Sequence, residues 1–195
     1  MISLLLLLAP LLGAAPSNTW IVDGQGSGHF TTIQAAIDAS APGDFILVHG
    51  GVYAEDLVVH TSVSIQGAAG ETVTVHPATS DVGVGFGSQV LTTTQSCRVE
   101  AGDVSLVGLV SDGDNPWLGG GIDARNGVIL NYTNGPWQRL TVENCVVRNI
   151  WHRAVYGSNG DGHLFRGNLV ENANMVGLES AGLMLYGASG TITGN

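Results

Sequence analysis

The sequence predicts an all-β solenoid with a short helix closing its N-terminal end. Three observations carry this. Short strand-like segments recur between Gly, Asn and Asp. An asparagine-bearing motif returns at a spacing of one solenoid turn. Only one stretch has the periodicity of a helix.

The chain has 195 residues, 44% of them hydrophobic, which suits one domain with a substantial core. Its 29 glycines follow no collagen-like triplet. There is no lysine, and six arginines against sixteen acids leave a formal net charge of −10. That balance excludes a nucleic-acid binder working by phosphate neutralisation, and also a polybasic membrane anchor.

Residues 1–17 read as a secretory signal peptide: an apolar run from Ile2 to Leu12, then small residues at Gly13, Ala14 and Ala15. The run is too short to span a bilayer, and the alternative is a buried N-terminal helix. Residues 18–195 are then a mature domain without a membrane span, secreted, periplasmic or held at the cell surface. In an oxidising compartment Cys97 and Cys145 could form a disulfide, or both could be small buried core residues.

Trp20-Ile21-Val22 precedes a glycine-rich turn over residues 23–28. Thr31 lies three residues before Gln34, the spacing of a capping box, and Ile33, Ala36 and Ile37 line one helical face before Pro42-Gly43. Strands follow at Phe45–Val48, Val63–Ile65, Val73–Val75, Val104–Val110 and Leu140–Val142. The segment from Leu140 through Asn144 to Asn149 is echoed from Leu164 through Asn168 to Asn172, and again at Thr191–Asn195. Asn144 and Asn168 are 24 residues apart, and Asn168 and Asn195 are 27 apart. Asparagine tolerates a left-handed corner, and its amide can bond the equivalent amide one turn on. A β-sandwich is the alternative, but more regular alternation would then be expected. Stacked turns leave apolar ends that need caps. The Ile33/Ile37 face fits one end. Thr191–Asn195 falls in mid-turn, so the expectation there is further chain beyond a truncated C-terminus, or a covering partner.

Together these residues resemble the right-handed parallel β-helix proteins of the pectin lyase-like superfamily. The stretch from Asp23 to Asp38, followed by Ala41-Pro42-Gly43-Asp44 and Gly51-Val52-Tyr53-Ala54-Glu55, is similar to the N-terminal region of pectin methylesterases, including their Gly-x-Tyr-x-Glu motif. The later Asn-bearing segments resemble parallel β-helix repeats. The resemblance implies the fold and a role in carbohydrate biology. It carries over no catalytic residue, because the family's Gln-Asp, Asp-Phe-Ile-Phe-Gly and Leu-Gly-Arg-Pro-Trp segments are absent. Tyr53 and Glu55 are expected to shape the first turn. A lyase of this superfamily that uses a lysine base would need one from outside this sequence.

Three groups of residues invite chemistry. Asp112, Asp114 and Asp123, with Arg125 nearby, could hold Ca²⁺ through oxygen ligands or act on a glycosidic bond; a solvated acidic loop is the alternative. Asp161, His163 and Arg166, preceded by His152 and Arg153, could converge across turns stacked about 4.8 Å apart. Trp117, Trp137 and Trp151 sit in loop-like contexts, where an exposed indole could stack on a sugar ring. Asn131-Tyr132-Thr133 fits a glycosylation acceptor. Two functions follow: a non-catalytic module binding an extracellular, acidic polysaccharide or serving as a surface scaffold, and a carbohydrate-active enzyme (pectin or uronate lyase, esterase or glycosidase) with active-site turns partly beyond residue 195. Neither requires a cofactor, though Ca²⁺ fits both.

Overall fold

The computed structural model describes residues 17–84, 92–131, 133–173 and 182–195. The expected signal peptide therefore lies, except for Ser17, outside the described residues.

The described residues begin with β1 (Thr19–Val22) and α1 (Ile33–Ala39). A first coil follows, β2 (Asp44–Val48), β3 (Gly51–Ala54) and β4 (Leu57–Val59). The second is β5 (Val63–Gly67), β6 (Val73–His76) and β7 (Gln95–Val99). The third is β8 (Ser105–Val107), β9 (Val110–Asp112) and β10 (Asn126–Leu130). The fourth is β11 (Thr141–Glu143), β12 (Val146–Ile150) and β13 (Val155–Ser158). The fifth is β14 (His163–Arg166), β15 (Leu169–Ala173) and β16 (Leu183–Tyr186), and β17 (Gly190–Thr193) starts a sixth.

Each coil gives one strand to each of three parallel sheets. The first sheet runs β1-β2-β5-β8-β11-β14-β17, the second β3-β6-β9-β12-β15 and the third β4-β7-β10-β13-β16. This is a parallel β-helix. Strand side chains alternate between faces, so in-register residues form columns along the interior. Ile46, Ile65, Leu106, Val142 and Phe165 make one such column on the first sheet, all buried. Tyr53, Val75, Ser111 and Val147 line the second, and Leu57, Cys97, Val128 and Val155 the third.

From the third coil on, one left-handed residue turns the corner between the first and second sheets. Gly108 (φ 65°), Asn144 (φ 52°), Gly167 (φ 64°) and Gly194 (φ 65°) occupy it. The single strand expected over Val104–Val110 is therefore two strands, because Gly108 turns the chain between Val107 and Val110. The same corner corrects the repeat. Asn144 stacks with Gly167, and Asn168 lies one position further along. Asn168 Oδ1 accepts from Cys145 N (3.0 Å), while Asn168 N and Nδ2 donate to Asn195 Oδ1 (2.8 and 2.9 Å). A second amide ladder joins Asn172 Nδ2 to Asn149 Oδ1 (2.7 Å), at a spacing of 23 residues.

Helix α1 covers the apolar end of the coil with Ile33, Ala36 and Ile37, all fully buried against the first coil. Its N-cap is Thr32 rather than Thr31: Thr32 Oγ1 accepts from Ala35 N (3.4 Å). Gln34 is not part of a capping box; its Oε1 accepts from Val58 N (2.8 Å). The remaining helix amides are met from the first coil, where Glu55 accepts from Ile33 N and Gln34 N, both at 2.8 Å. Tyr53 OH accepts from Gly24 N (3.3 Å) and donates to His49 O (2.9 Å). The Gly-x-Tyr-x-Glu motif thus ties the N-terminal turn and helix to the first coil.

Cys97 and Cys145 are free thiols. Both line a small interior cavity of about 20 Å³ with Leu57, Val75, Leu106 and Val147. Burial pushes the Cys97 thiol up to about 12, and it raises Cys145 as well.

Candidate functional site

The loop over residues 113–125 joins β9 to β10 and presents Trp117. Its base is closed by Asp123 N and Ala124 N, which donate to Gly113 O (2.7 and 2.9 Å). Gly113 lies hard against Asn149 O, where no Cβ would fit. Asn115, almost fully buried, is the hub of the loop. Its N donates to Asp123 Oδ2 (2.8 Å), its Nδ2 to Pro77 O (2.7 Å), and its Oδ1 accepts from Trp117 N (3.0 Å). The indole meets the His76 ring edge-on, with centroids 5.7 Å apart. Even so, Trp117 remains 70% exposed. Trp137 and Trp151 are half-buried, and Trp137 packs against the core. Among the three candidate stacking residues, Trp117 alone offers its face to solvent.

The three aspartates of this region face different partners. Asp112 accepts from Arg148 Nε (2.8 Å) and Asn149 Nδ2 (2.7 Å). Asp123 holds Asn115, and Asp114 is tied by its backbone N to Asp112 Oδ1 (3.3 Å). Among the described residues, no group of three His, Cys, Asp or Glu side chains is placed to hold a metal ion.

The third sheet carries a polar ladder that composition and spacing did not single out as a unit. Gln95, Asn126 and Arg153 stand in register: Asn126 Nδ2 donates to Gln95 Oε1 (2.7 Å), and Arg153 N donates to Asn126 Oδ1 (3.3 Å). The Arg153 guanidinium lies over the Tyr156 ring, 4.5 Å from its centroid. Beside it, Arg125 is fully buried and donates from Nη1 to Val82 O (2.5 Å). His152 N donates to Arg125 O (2.7 Å), which puts His152 one coil above Arg125. The His152 ring is fully buried, and among the described residues neither nitrogen has a hydrogen-bond partner. Burial, then the charges of Arg153 and Arg125, push its pKa down to about 4, so the imidazole is neutral at pH 7. The only sequence signal for this ladder is the recurrence of polar residues at the start of the third-sheet strands.

Strand alternation separates His163 from Arg166, and Asp161 lies before the strand. His163 shares the inward face with Phe165, and its Nδ1 accepts from Leu140 N (3.2 Å). The ring proton is therefore on Nε2, which is buried without an acceptor among the described residues. Burial lowers the His163 pKa, with a partial opposing effect from Asp161. Arg166 points outward and donates to Glu143 (2.7 Å). Asp161 lies on the exposed corner before β14, where its Oδ1 accepts from Ser189 Oγ (2.8 Å). Asn131 of the glycosylation pattern is buried, and its Nδ2 donates to Glu100 Oε1 (2.8 Å).

No protein-family model matches the chain, and no curated protein matches it in sequence. Among solved structures the chain is similar to a pectin methylesterase from Aspergillus niger in penultimately deglycosylated form. Identity is 12% and the TM-score 0.42, over 93% of this chain and 88% of that one.

Proposed function

We propose that this chain is an exported β-helix module that binds extracellular polysaccharide, with Trp117 as its stacking platform. The observation that carries the reading is a large indole held 70% exposed on a loop braced by a buried asparagine. Exposing a tryptophan face forgoes favourable burial, and a braced loop loses little entropy when a ligand stacks on it. A sugar ring offers the matching flat C–H face. Calorimetric titration of polygalacturonate, alginate, methylated pectin and neutral glycans tests the reading. Binding should fall roughly three- to tenfold in Trp117→Ala, the range of one aromatic contact. Unchanged binding in the variant would remove Trp117 from the account. Failure to bind any glycan would leave a surface scaffold.

A second reading, a carbohydrate-active enzyme, draws on one specific observation. His152 is buried beside Arg125 and Arg153, and among the described residues both its ring nitrogens are unpartnered. Such groups are costly and concentrate at functional sites. Release of unsaturated, de-esterified or shortened products from pectin or polygalacturonate, lost in His152→Gln, would favour this reading over the first.

A further inference from the structure

We propose that the corner between the third and first sheets is a second glycan subsite, selective for neutral sugar residues. This rests on the polysaccharide-binding reading and narrows the ligand class. The cleft is about 350 Å³ and is lined by Gly135, Pro136, Gln138, Asn159, Gly160, Asp161 and Gly187. Three adjacent loops form it, and their backbones are tied together. Asn159 N donates to Tyr186 O (3.1 Å), Ser189 N to Gly160 O (2.9 Å) and Arg139 N to Asp161 O (2.9 Å). Glycines let its loops approach one another closely. A Cβ at Gly187 would meet Asn159 Oδ1 at 2.8 Å, and one at Gly160 would strike Trp137 O.

The polar groups in this wall suit hydroxyls. Ser189 Oγ takes one oxygen of Asp161, and within the described residues the other accepts no hydrogen bond. The Asn159 side-chain amide makes none there either. Gln138 uses Oε1 to accept from Arg139 Nη1 (2.9 Å), which leaves its NH₂ as a donor. A carboxylate and two amides supply acceptors and donors at fixed angles, and pairs of ring hydroxyls need both.

Charge sets the class. None of the lining residues is basic. The nearest cation, Arg139, is held by both oxygens of Asp103 (2.5 and 2.6 Å). Arg139 reaches the edge of the cleft at Gln138, but Asp103 already pairs its charge, so a uronate carboxylate here would face Asp161 beside a neutralised cation, on a chain of net charge −10.

The test is calorimetric titration of the full chain with neutral hexasaccharides of xylose, mannose and glucose, and with hexagalacturonate. The variants are Asp161→Ala, Asp161→Asn, Asn159→Gly and Trp117→Ala. Asn159 has φ 52°, so glycine keeps its backbone while deleting the amide. The expectation is that at least one neutral oligosaccharide binds better than hexagalacturonate. Its affinity should fall roughly tenfold in Asp161→Ala and roughly fivefold in Asn159→Gly, the ranges for losing a charged and a neutral hydrogen bond. Asp161→Asn should narrow the gap between neutral and acidic ligands. Binding that is lost in Trp117→Ala but indifferent to every cleft variant would overturn the subsite and leave the platform standing. Preference for hexagalacturonate in the wild type would overturn the charge class. No binding of any glycan would overturn both.

Discussion

At the scale of single residues, buried His152 should make stability depend on pH below neutrality. Its pKa is held at about 4, below its ordinary 6.5, so the folded state takes up the proton later than the unfolded chain. The sign follows: stability is complete above about pH 6.5, falls as the pH drops towards 4, and levels off below that. The shift corresponds to at most about 3 kcal/mol across that window. The carboxylates with lowered pKa values, such as Asp44 held by Ala41 N and Asn18 N, act only at lower pH. Denaturant unfolding at pH 7 and pH 4.5 measures the effect. His152→Phe should remove much of the difference and gain about 1–2 kcal/mol at pH 7, since it deletes two buried unpartnered polar atoms. An unchanged pH slope in the variant would reassign the effect to His163, whose pKa burial also lowers.

At the scale of the element, asparagine has two jobs one position apart. Asn144 serves the left-handed corner, and its Nδ2 makes only a 3.4 Å bond to Glu143. Asn144→Gly should therefore be neutral within about 0.5 kcal/mol. Asn168 satisfies the buried Cys145 N and donates to Val142 O (2.9 Å), so Asn168→Gly should cost about 1–3 kcal/mol. Thermal melts of the two variants test the register directly; equal losses would contradict it. Glu55→Ala should cost about 1–2 kcal/mol by stripping the cap from Ile33 N and Gln34 N, and fraying of α1 by hydrogen exchange would report it. The helix face, the repeat and the capped end were legible in the sequence because periodicity records burial. The step from 24 to 23 residues was not, because Asn144 and Asn168 look alike in sequence while one acts through its backbone and the other through its amide. The split of Val104–Val110 was hidden for the same kind of reason: an apolar run with one glycine reads as a strand until the corner requires φ 65° at Gly108. Of the candidate sites, exposed Trp117 sat where a loop residue after proline was expected. The separation of His163 from Arg166 follows from period-two alternation once the strand is placed, and the Gln95–Asn126–Arg153 ladder emerges only when three coils are stacked.

At the scale of the whole molecule, the β-helix is a stack of coils whose interior columns supply stability and whose loops project from them. Phe165→Ala should cost about 3–5 kcal/mol, because its ring fills the first-sheet column between Val142 and Ile192. Loops that leave the coil are free of that demand, which is where Trp117 stands and where the Gly-lined corner opens. Glycan binding through Trp117 is read out directly by a ¹⁵N–¹H NMR titration of the indole signals with polysaccharide-derived oligosaccharides. Trp20, Trp117, Trp137 and Trp151 give four indole signals, and Trp117→Ala assigns one by its loss. The Trp117 signal should move in saturable fashion while that of Trp20, packed against Phe30 at the capped end, stays in place. A Trp117 signal that stays fixed through the titration of every glycan would contradict glycan binding through Trp117.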